Sequence, residues 1–584
     1  MVRIAVVEKE KCHPDRCGNF LCMRLCPVNR TGIECITEGD DFKAKIDAST
    51  CTGCGICPKR CPFGAIHIIN LPEALDKTPV HQYGYNDFRL FNLPVPIFGK
   101  VLGIIGKNGI GKSTAIKILA GALKANLSDY KKEKNIDDLI NFFKGTELQI
   151  FFSKLKNREI KISYKPQAVD MIPKQAKGKV IDLLKKVDEK NELDKIIKEL
   201  ELERFLNSKI DEISGGELQR VAIAATVLKK ANVYIFDEPS SYLDIKQRIK
   251  LSKFIRNLAN EETAVIVVEH DLIILDHMAD LIQILYGETG AYGVVSGTKT
   301  TRAGINVYLS GYLKEENIRF REHEIKFLAK PLKKVRDEEI IISWNNIELN
   351  LGSFNLTAPE GKIPRKQVIG ILGENGIGKT SFVRILAGEL KPKGQIDEKA
   401  TIAYKPQYLS TNSDELVQSF LQKAIEDYEV QLIRPLGISH LFEKSLNELS
   451  GGELQRVMIA KCLSEDADLF LMDEPSAYLD IEQRLIVSRL IKERMEQTRK
   501  TALVVDHDLM FADYLSDKLI VFEGVPAEKG IVEGPFSMED GMNKFLKNLN
   551  ITLRRDHETL RPRINKEDSQ LDREQKAEGK LYYT

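Results

Sequence analysis

Cys51, Cys54, Cys57 and Cys61, with Pro62 directly after them, read C-x2-C-x2-C-x3-C-P. Thiolates at this spacing ligate iron-sulfur clusters. Upstream stand Cys12, Cys17, Cys22 and Cys26, the last again three residues on and followed by proline, but with wider early gaps. Glycines at 53, 55 and 64 suit a backbone that folds tightly around a cluster and points N–H groups at its sulfurs. Zinc is the competing metal, since it takes pairs of C-x2-4-C across a longer loop. The 51–61 spacing favours iron-sulfur, whereas the upstream set alone leaves both metals open. Nine of the ten cysteines fall within the first 61 residues. A disulfide framework would belong to a small secreted domain, so the clustering points to metal. Cys35 and Cys462 lie outside both sets and read as packed small apolar residues.

The second chemistry is phosphate binding. "GKNGIGKS" at 106–113 recurs as "GENGIGKT" at 373–380, each after a β-rich apolar run and before a helical one. In that context G-x-x-x-x-G-K-[ST] is a phosphate-binding loop. Gly106, Asn108, Gly109 and Gly111, with Gly373, Asn375, Gly376 and Gly378, form the turns whose N–H groups cradle phosphates. Lys112 and Lys379 reach the β and γ oxygens, Ser113 and Thr380 ligate Mg2+, and Thr114 and Ser381 follow in the first turn of the helix.

Four further strings repeat in the same order: "YKPQ" (164–167, 404–407), "SGGELQR" (214–220, 450–456), "DEPSSYLD" beside "DEPSAYLD" (237–244, 473–480), and "EHD" beside "DHD" (269–271, 506–508). With these the chain resembles the ATP-binding cassette family over most of residues 80–535. The resemblance implies that Asp237 and Asp473 hold Mg2+ through water, and that Glu238 and Glu474 polarise the attacking water. It implies further that Gln167 and Gln407 sense Mg2+ and the γ-phosphate, and that His270 and His507 are switch histidines. Ser214, Gly215 and Gly216, like Ser450, Gly451 and Gly452, open a helix and offer an anion site that caps the ATP held by the opposite cassette. Tyr83, Tyr85 and Phe88 are the aromatics available to stack on adenine in the first half. The cysteine run is likewise similar to two-cluster ferredoxins, where the fourth cysteine ligates the other cluster. That resemblance implies two [4Fe-4S] clusters, one on Cys12, Cys17, Cys22 and Cys61 and the other on Cys26, Cys51, Cys54 and Cys57.

The elements that must position these groups follow from the chain as a whole. At 584 residues, and ~150 residues per domain, about four units are expected. The fold class expected is α/β: two tandem P-loop cassettes arranged head-to-tail, with an N-terminal ferredoxin-like domain and hinge segments. The boundaries expected are 1–76 for the ferredoxin-like domain, 77–292 for the first cassette, 293–340 for hinge 1, 341–537 for the second cassette and 538–584 for hinge 2. Lysine plus arginine (86) nearly balance aspartate plus glutamate (85), so no global field marks a nucleic-acid binder. No apolar run reaches the ~20 residues that span a bilayer and no signal segment opens the chain, so a cytoplasmic protein without membrane contact is expected.

The halves differ in one place. From Gly106 to Gln167 is 61 positions, and from Gly373 to Gln407 only 34. The excess reads as a helix-loop-helix insertion near 124–152, with Ser128 as N-cap, an apolar stripe of Ile136, Leu139, Ile140 and Phe143, and Gly145 as terminator. Its length favours a docking element over a packing insertion. Residues 302–339 and the C-terminal tail are rich in arginine and lysine with interleaved aromatics, a character that suits hinges showing basic groups to RNA phosphate.

Tandem cassettes, a double cysteine motif, the insertion and two basic connectors together resemble the ABCE-type, or RNase L inhibitor, family. That family implies an ATP hydrolase with two composite sites which splits ribosomes into subunits after termination or stalling. It implies a monomer that pairs its own cassettes, with the ribosome, above all the small subunit and its rRNA, a Pelota-type or release factor, and initiation factors as partners. The other classes open to the chain are an ATP-gated iron-sulfur redox or cluster-assembly protein and the ATPase subunit of a membrane importer. The importer would need separate membrane-spanning chains.

Overall fold

The computed structural model describes residues 3–39, 41–47, 50–70, 78–321, 324–325, 327, 339–398, 400–407 and 413–583. The expected boundary at 76/77, and residues 328–338 of the basic connector, lie outside the described residues. Contacts divide the chain into two compact units. The first comprises 1–239, 255–269 and 279–322, and the second 240–254, 270–278 and 323–584.

In the first unit the head pairs Arg3–Val7 antiparallel with Ile66–Asn70, beside the hairpin Ile36–Glu38/Ala44–Ile46 and the short helices Leu21–Leu25, Pro27–Arg30 and Ile56–Arg60. Its buried cluster is small and rich in sulfur: five of its thirteen residues are cysteines, Cys12, Cys22, Cys26, Cys35 and Cys57, beside Val7, Phe20, Ile36, Ile46, Ile66 and three alanines. A core of this size gains little from burial, so ligation must supply stability. Asn86 fastens the head to the loop ahead of the first P-loop, donating to the carbonyls of Ala5 and Ile46 (2.8 and 2.9 Å) and accepting from the Ile46 N–H.

The rest of the first unit is built on a nine-stranded sheet. The runs "VLGII", "VYIFD" and "AVIVV" are buried at every position, as strands covered on both faces must be. They form the parallel strands Val101–Ile105, Val233–Asp237 and Ala264–Val268, flanked by Ile162–Lys165 and Leu281–Glu288. The P-loop joins Val101–Ile105 to the helix Lys112–Leu119. Gly111 sits at φ +94°, and a Cβ there would stand 2.6 Å from the Phe88 ring, so this turn requires glycine. The second unit repeats the plan: Val368–Leu372, Thr501–Val505, Leu469–Asp473 and Ile402–Lys405 are its parallel centre, and the long antiparallel pair Ile340–Leu351 with Phe354–Pro364 lies towards the other side, edged by Lys393–Glu398.

The insertion is two helices, Ile136–Phe142 and Glu147–Lys156. Ser128 does not cap the first. It has φ +73° and its hydroxyl donates to Gln82, while Asn135 is the N-cap in a two-way capping box with Asp138. Asn135 prevails because it satisfies one orphan donor of the helix while Asp138 satisfies the N-cap amide. Leu139, Phe143, Leu148, Phe151 and Phe152 join the cassette core, so one face of the insertion is packing and the other, with Ile150 60% exposed, is free.

The tail folds within the second unit as the hairpin Leu553–Arg555/Pro562–Ile564 and the helix Gln570–Glu578. Its arginines are not all offered to solvent. Arg561 is 0% exposed and, with Arg563, ion-pairs to Asp276 at 3.2 and 2.6 Å. In the first unit, Arg321 is buried and donates to the carbonyls of Tyr308 and Leu309. The expectation of basic groups facing RNA phosphate therefore fails for these three, whose charge is consumed internally.

Candidate functional site

Each P-loop lysine is held ready by its own loop. Lys112 Nζ donates to the carbonyls of Gly106 (2.8 Å) and Lys107 (2.7 Å), and Lys379 Nζ to those of Gly373 (3.0 Å) and Glu374 (2.6 Å). Both lysines are buried, and burial pulls Lys379 below its usual range, opposed by the carboxylates around it. A group so placed answers strongly to an arriving phosphate.

Asp237 and Asp473 close the strands Val233–Asp237 and Leu469–Asp473. Burial pushes each up to about 6, with the charge of the following glutamate adding to it, while Ser113 and Thr380 respectively pull it down. Both oxygens of each are buried without a hydrogen-bond partner. Orphaned carboxylate oxygens next to a hydroxyl are a set of hard donors that fits Mg2+.

The next residues, Glu238 and Glu474, have φ of +47° and +48°. Gln167 Nε2 donates to Glu238 Oε1 at 2.6 Å and Gln407 Nε2 to Glu474 Oε1 at 2.7 Å, so the fold brings each glutamine onto a glutamate carboxylate. In the second unit His507 Nε2 lies 3.4 Å from Glu474 Oε1. Burial works to raise Glu474, but the His507 hydrogen bond and charge, with Lys379 and Arg248, outweigh it and hold the carboxyl at about 2. The residue after each of His270 and His507 is a buried aspartate that pairs with a partly buried arginine: Arg248–Asp271 at 3.0 Å and Arg484–Asp508 at 2.7 Å, all four in the second unit.

Ser214 and Ser450 are N-caps of the helices Gly215–Val227 and Gly451–Ser464, each in a two-way capping box with the glutamate three residues on. The box leaves other first-turn N–H groups available, which is what anion capture requires. Within the second unit, the segment following Glu238 lies on the second P-loop: Asn375 N–H donates to Asp244 (2.8 Å), Asn375 Nδ2 to the Tyr242 carbonyl (3.3 Å), and Lys246 Nζ stands 2.7 Å from Glu374. The aromatics separate as well. Phe88 is 8% exposed beneath Gly111, whereas Tyr83 is 51% exposed with its hydroxyl 3.0 Å from that of Thr114.

In the head, Cys26, Cys51, Cys54 and Cys57 line one cavity together with Cys35. Burial first, then the nearby Cys51, Cys22, Cys54 and Cys26, push the Cys57 thiol up to about 12. Burial first, with the charges of Cys12, Cys17 and Cys61 adding to it, pushes the Cys22 thiol up to about 11. Among the described residues no three His, Cys, Asp or Glu side chains converge on a single-ion site. Thiols ringing a cavity are the donor set that a polynuclear iron-sulfur group takes.

Motif reading passed over four residues, Lys165 with Gln219 and Lys405 with Gln455, which stand buried against the carbonyls of the two glutamates. One signal was available: "YKPQ" places a lysine in a strand at the same position of both repeats.

The ABC transporter family model matches residues 97–241 and 356–477, a possible Fer4-like domain in RNase L inhibitor matches 2–34, and a 4Fe-4S binding domain matches 44–67. The translation initiation factor RLI1 of Saccharomyces cerevisiae is 44% identical over 597 residues, covering 100% of this chain and 98% of that protein. A structure described as a model of ribosome-bound archaeal Pelota and ABCE1 matches with TM-score 0.94 and 52% identity over 100% of this chain and 99% of that one. A crystal structure of archaeal ribosomal stalk protein aP1 with the archaeal ribosome recycling factor aABCE1 matches with TM-score 0.83 and 52% identity, covering 87% of this chain and 100% of that one.

Proposed function

Because the chain belongs to the ABCE, or RNase L inhibitor, family of ATP-binding cassette proteins, we propose that it is an ATP-driven ribosome recycling factor. It splits ribosomes into subunits after termination or stalling and stays on the small subunit. The observation that carries the reading is the match along the whole chain to ABCE1 in a structure named for the ribosome-bound Pelota complex. No helix among the described residues is long and apolar enough to cross a membrane.

In this reading Lys112 and Lys379 draw the β and γ phosphates into glycine-rich loops at the N-termini of the helices Lys112–Leu119 and Lys379–Leu386. Glu238 and Glu474 polarise the attacking water while Gln167 and Gln407 orient their carboxylates. Ser113, Gln167, Thr380 and Gln407, together with Asp237 and Asp473, would hold Mg2+, which when bound would supply charge neutralisation at the phosphates. His270 and His507 report the γ-phosphate to the residues after them. Ser214 and Ser450 cap the nucleotide of the opposite cassette, so hydrolysis follows closure of the pair within one chain.

Two [4Fe-4S] clusters, on Cys12, Cys17, Cys22 and Cys61 and on Cys26, Cys51, Cys54 and Cys57, serve as staples for the head. A buried cluster of thirteen residues, five of them cysteine, supports that role, since so small a core needs ligation to be stiff. Cassette closure then swings a rigid head between the subunits. The domain division proposed is 1–76, 77–292, 293–340, 341–537 and 538–584, and the partners proposed are a Pelota-type or release factor, small-subunit rRNA and initiation factors, in the cytoplasm.

The test is sedimentation of ribosomes with anaerobically prepared protein, a Pelota-type factor and ATP or a non-hydrolysable analogue. Loss of the intact-ribosome peak with ATP, and retention on small subunits with the analogue, is the expected result. Intact ribosomes and no co-sedimentation, from protein with full iron and active ATPase, would favour an ATP-gated redox role.

A further inference from the structure

We infer that Lys165 with Gln219, and Lys405 with Gln455, are positioning residues that hold the main chain of Glu238 and Glu474 in the strained conformation that aims their carboxylates. The inference rests on the reading of those glutamates as the groups that polarise water. Their φ values of +47° and +48° fall where a residue with a side chain persists only if its surroundings over-determine it.

The surroundings do so identically in both repeats. Lys165 Nζ donates to the carbonyls of Asp237 (2.9 Å) and Glu238 (3.4 Å), and Gln219 Nε2 to that of Glu238 (2.8 Å). In the second repeat Lys405 Nζ donates to Asp473 (2.7 Å) and Glu474 (3.4 Å), and Gln455 Nε2 to Glu474 (2.7 Å). The amides of the two glutamates are tied as well, to the Val268 carbonyl at 3.0 Å and the Val505 carbonyl at 2.8 Å. Both peptide groups flanking each strained residue are therefore fixed.

Neither lysine has exposed surface, and the glutamines are 0% and 1% exposed. A buried ammonium is unfavourable relative to an apolar side chain of similar volume, so packing alone gives no reason for lysine at this place twice. Its donors do: no apolar residue can hold two successive carbonyls. The clamp also joins elements. Each lysine lies two residues before the glutamine that bonds the carboxylate, and Gln219 and Gln455 belong to the helices opened by Ser214 and Ser450. A shift of either helix on anion capture must carry the glutamate carbonyl with it, which couples capture by the SGG turn to the aim of the carboxylate in the same cassette.

The experiment compares Lys165→Met/Lys405→Met and Gln219→Leu/Gln455→Leu with Glu238→Gln/Glu474→Gln in the full-length, iron-loaded protein, reading kcat, KM for ATP and thermal midpoint. The clamp predicts that both double variants lose about 10- to 100-fold in kcat with KM within about twofold, as a misplaced catalytic group does. It predicts for the lysine variant a loss of kcat out of proportion to any change in thermal midpoint, because the apolar isostere removes a buried ammonium while leaving two carbonyls without their donor. Unchanged kcat in both clamp variants while the glutamate variant is inactive would overturn the inference. So would a fall in kcat accompanied by a matching fall in thermal midpoint, the signature of a purely structural role. Full activity in the glutamate variant would remove the water-polarising reading itself. If the lysine variant does not fold, the glutamine variant decides between these outcomes.

Discussion

His67 Nε2 lies 2.7 Å from Glu8 Oε1, and its other nitrogen lies 3.3 Å from Glu288, so one imidazole from the head is held between a carboxylate of the head and one of the first cassette. The Glu288 hydrogen bond, then that of Glu8, raise His67 to about 9 against the opposing effect of burial.

A histidine whose folded value lies above its unfolded one contributes stability that is complete below the unfolded value, about 6.5, and is lost as pH rises through about 9. Thermal melts of the iron-loaded protein from pH 6 to 10 should show a decline across that window that His67→Gln lacks. Parallel profiles for the two proteins would contradict it.

The crossed cluster assignment makes a pairing prediction. Cys26→Ala and Cys54→Ala should each remove the iron of the same cluster, about half the total, and their double variant should lose no more. Cys17→Ala combined with Cys54→Ala should lose nearly all of it. Iron content and visible absorbance of anaerobic preparations check this. Additive loss between Cys26→Ala and Cys54→Ala would mean that the two cysteines serve different clusters.

The insertion has two faces with separable roles. Phe152→Ala removes a ring that is 2% exposed within the cassette core and should destabilise by roughly 3–5 kcal/mol, read in urea unfolding. Ile150→Glu lies on the 60% exposed side and should leave stability within about 0.5 kcal/mol. The same variant should weaken co-sedimentation with small subunits, and unaltered binding would leave the insertion a packing element alone.

Substituting Glu238 and Glu474 by glutamine keeps the side-chain volume and removes the charge. Turnover should fall by about 10²–10⁴-fold while ATP remains bound. Rapid filtration with labelled ATP beside a phosphate-release assay distinguishes trapping from failure to bind.

The P-loops, the DEP strings and the SGG turns were legible because each performs its chemistry within a few contiguous residues, and their twofold order excludes chance. Strand and helix around them follow from the same stretches: "VLGII" and "VIGIL" leave no polar position for a solvent face. The helix start at Asn135 escaped the reading because Ser128 and Asn135 are both good caps, and the choice depends on which one meets a reciprocal partner.

What only the tertiary structure decided is where the charges go. Arg561 and Arg563 look like surface residues of a basic tail until the fold brings them to Asp276, 285 and 287 positions away. Lys165 and Lys405 look like solvent-facing residues of a strand until the Asp-Glu carbonyls close over them. Residue type and spacing determined the chemistry that each short stretch can perform. Burial and partnership of a charged group depend on distant chain segments, and a linear pattern holds no record of their approach.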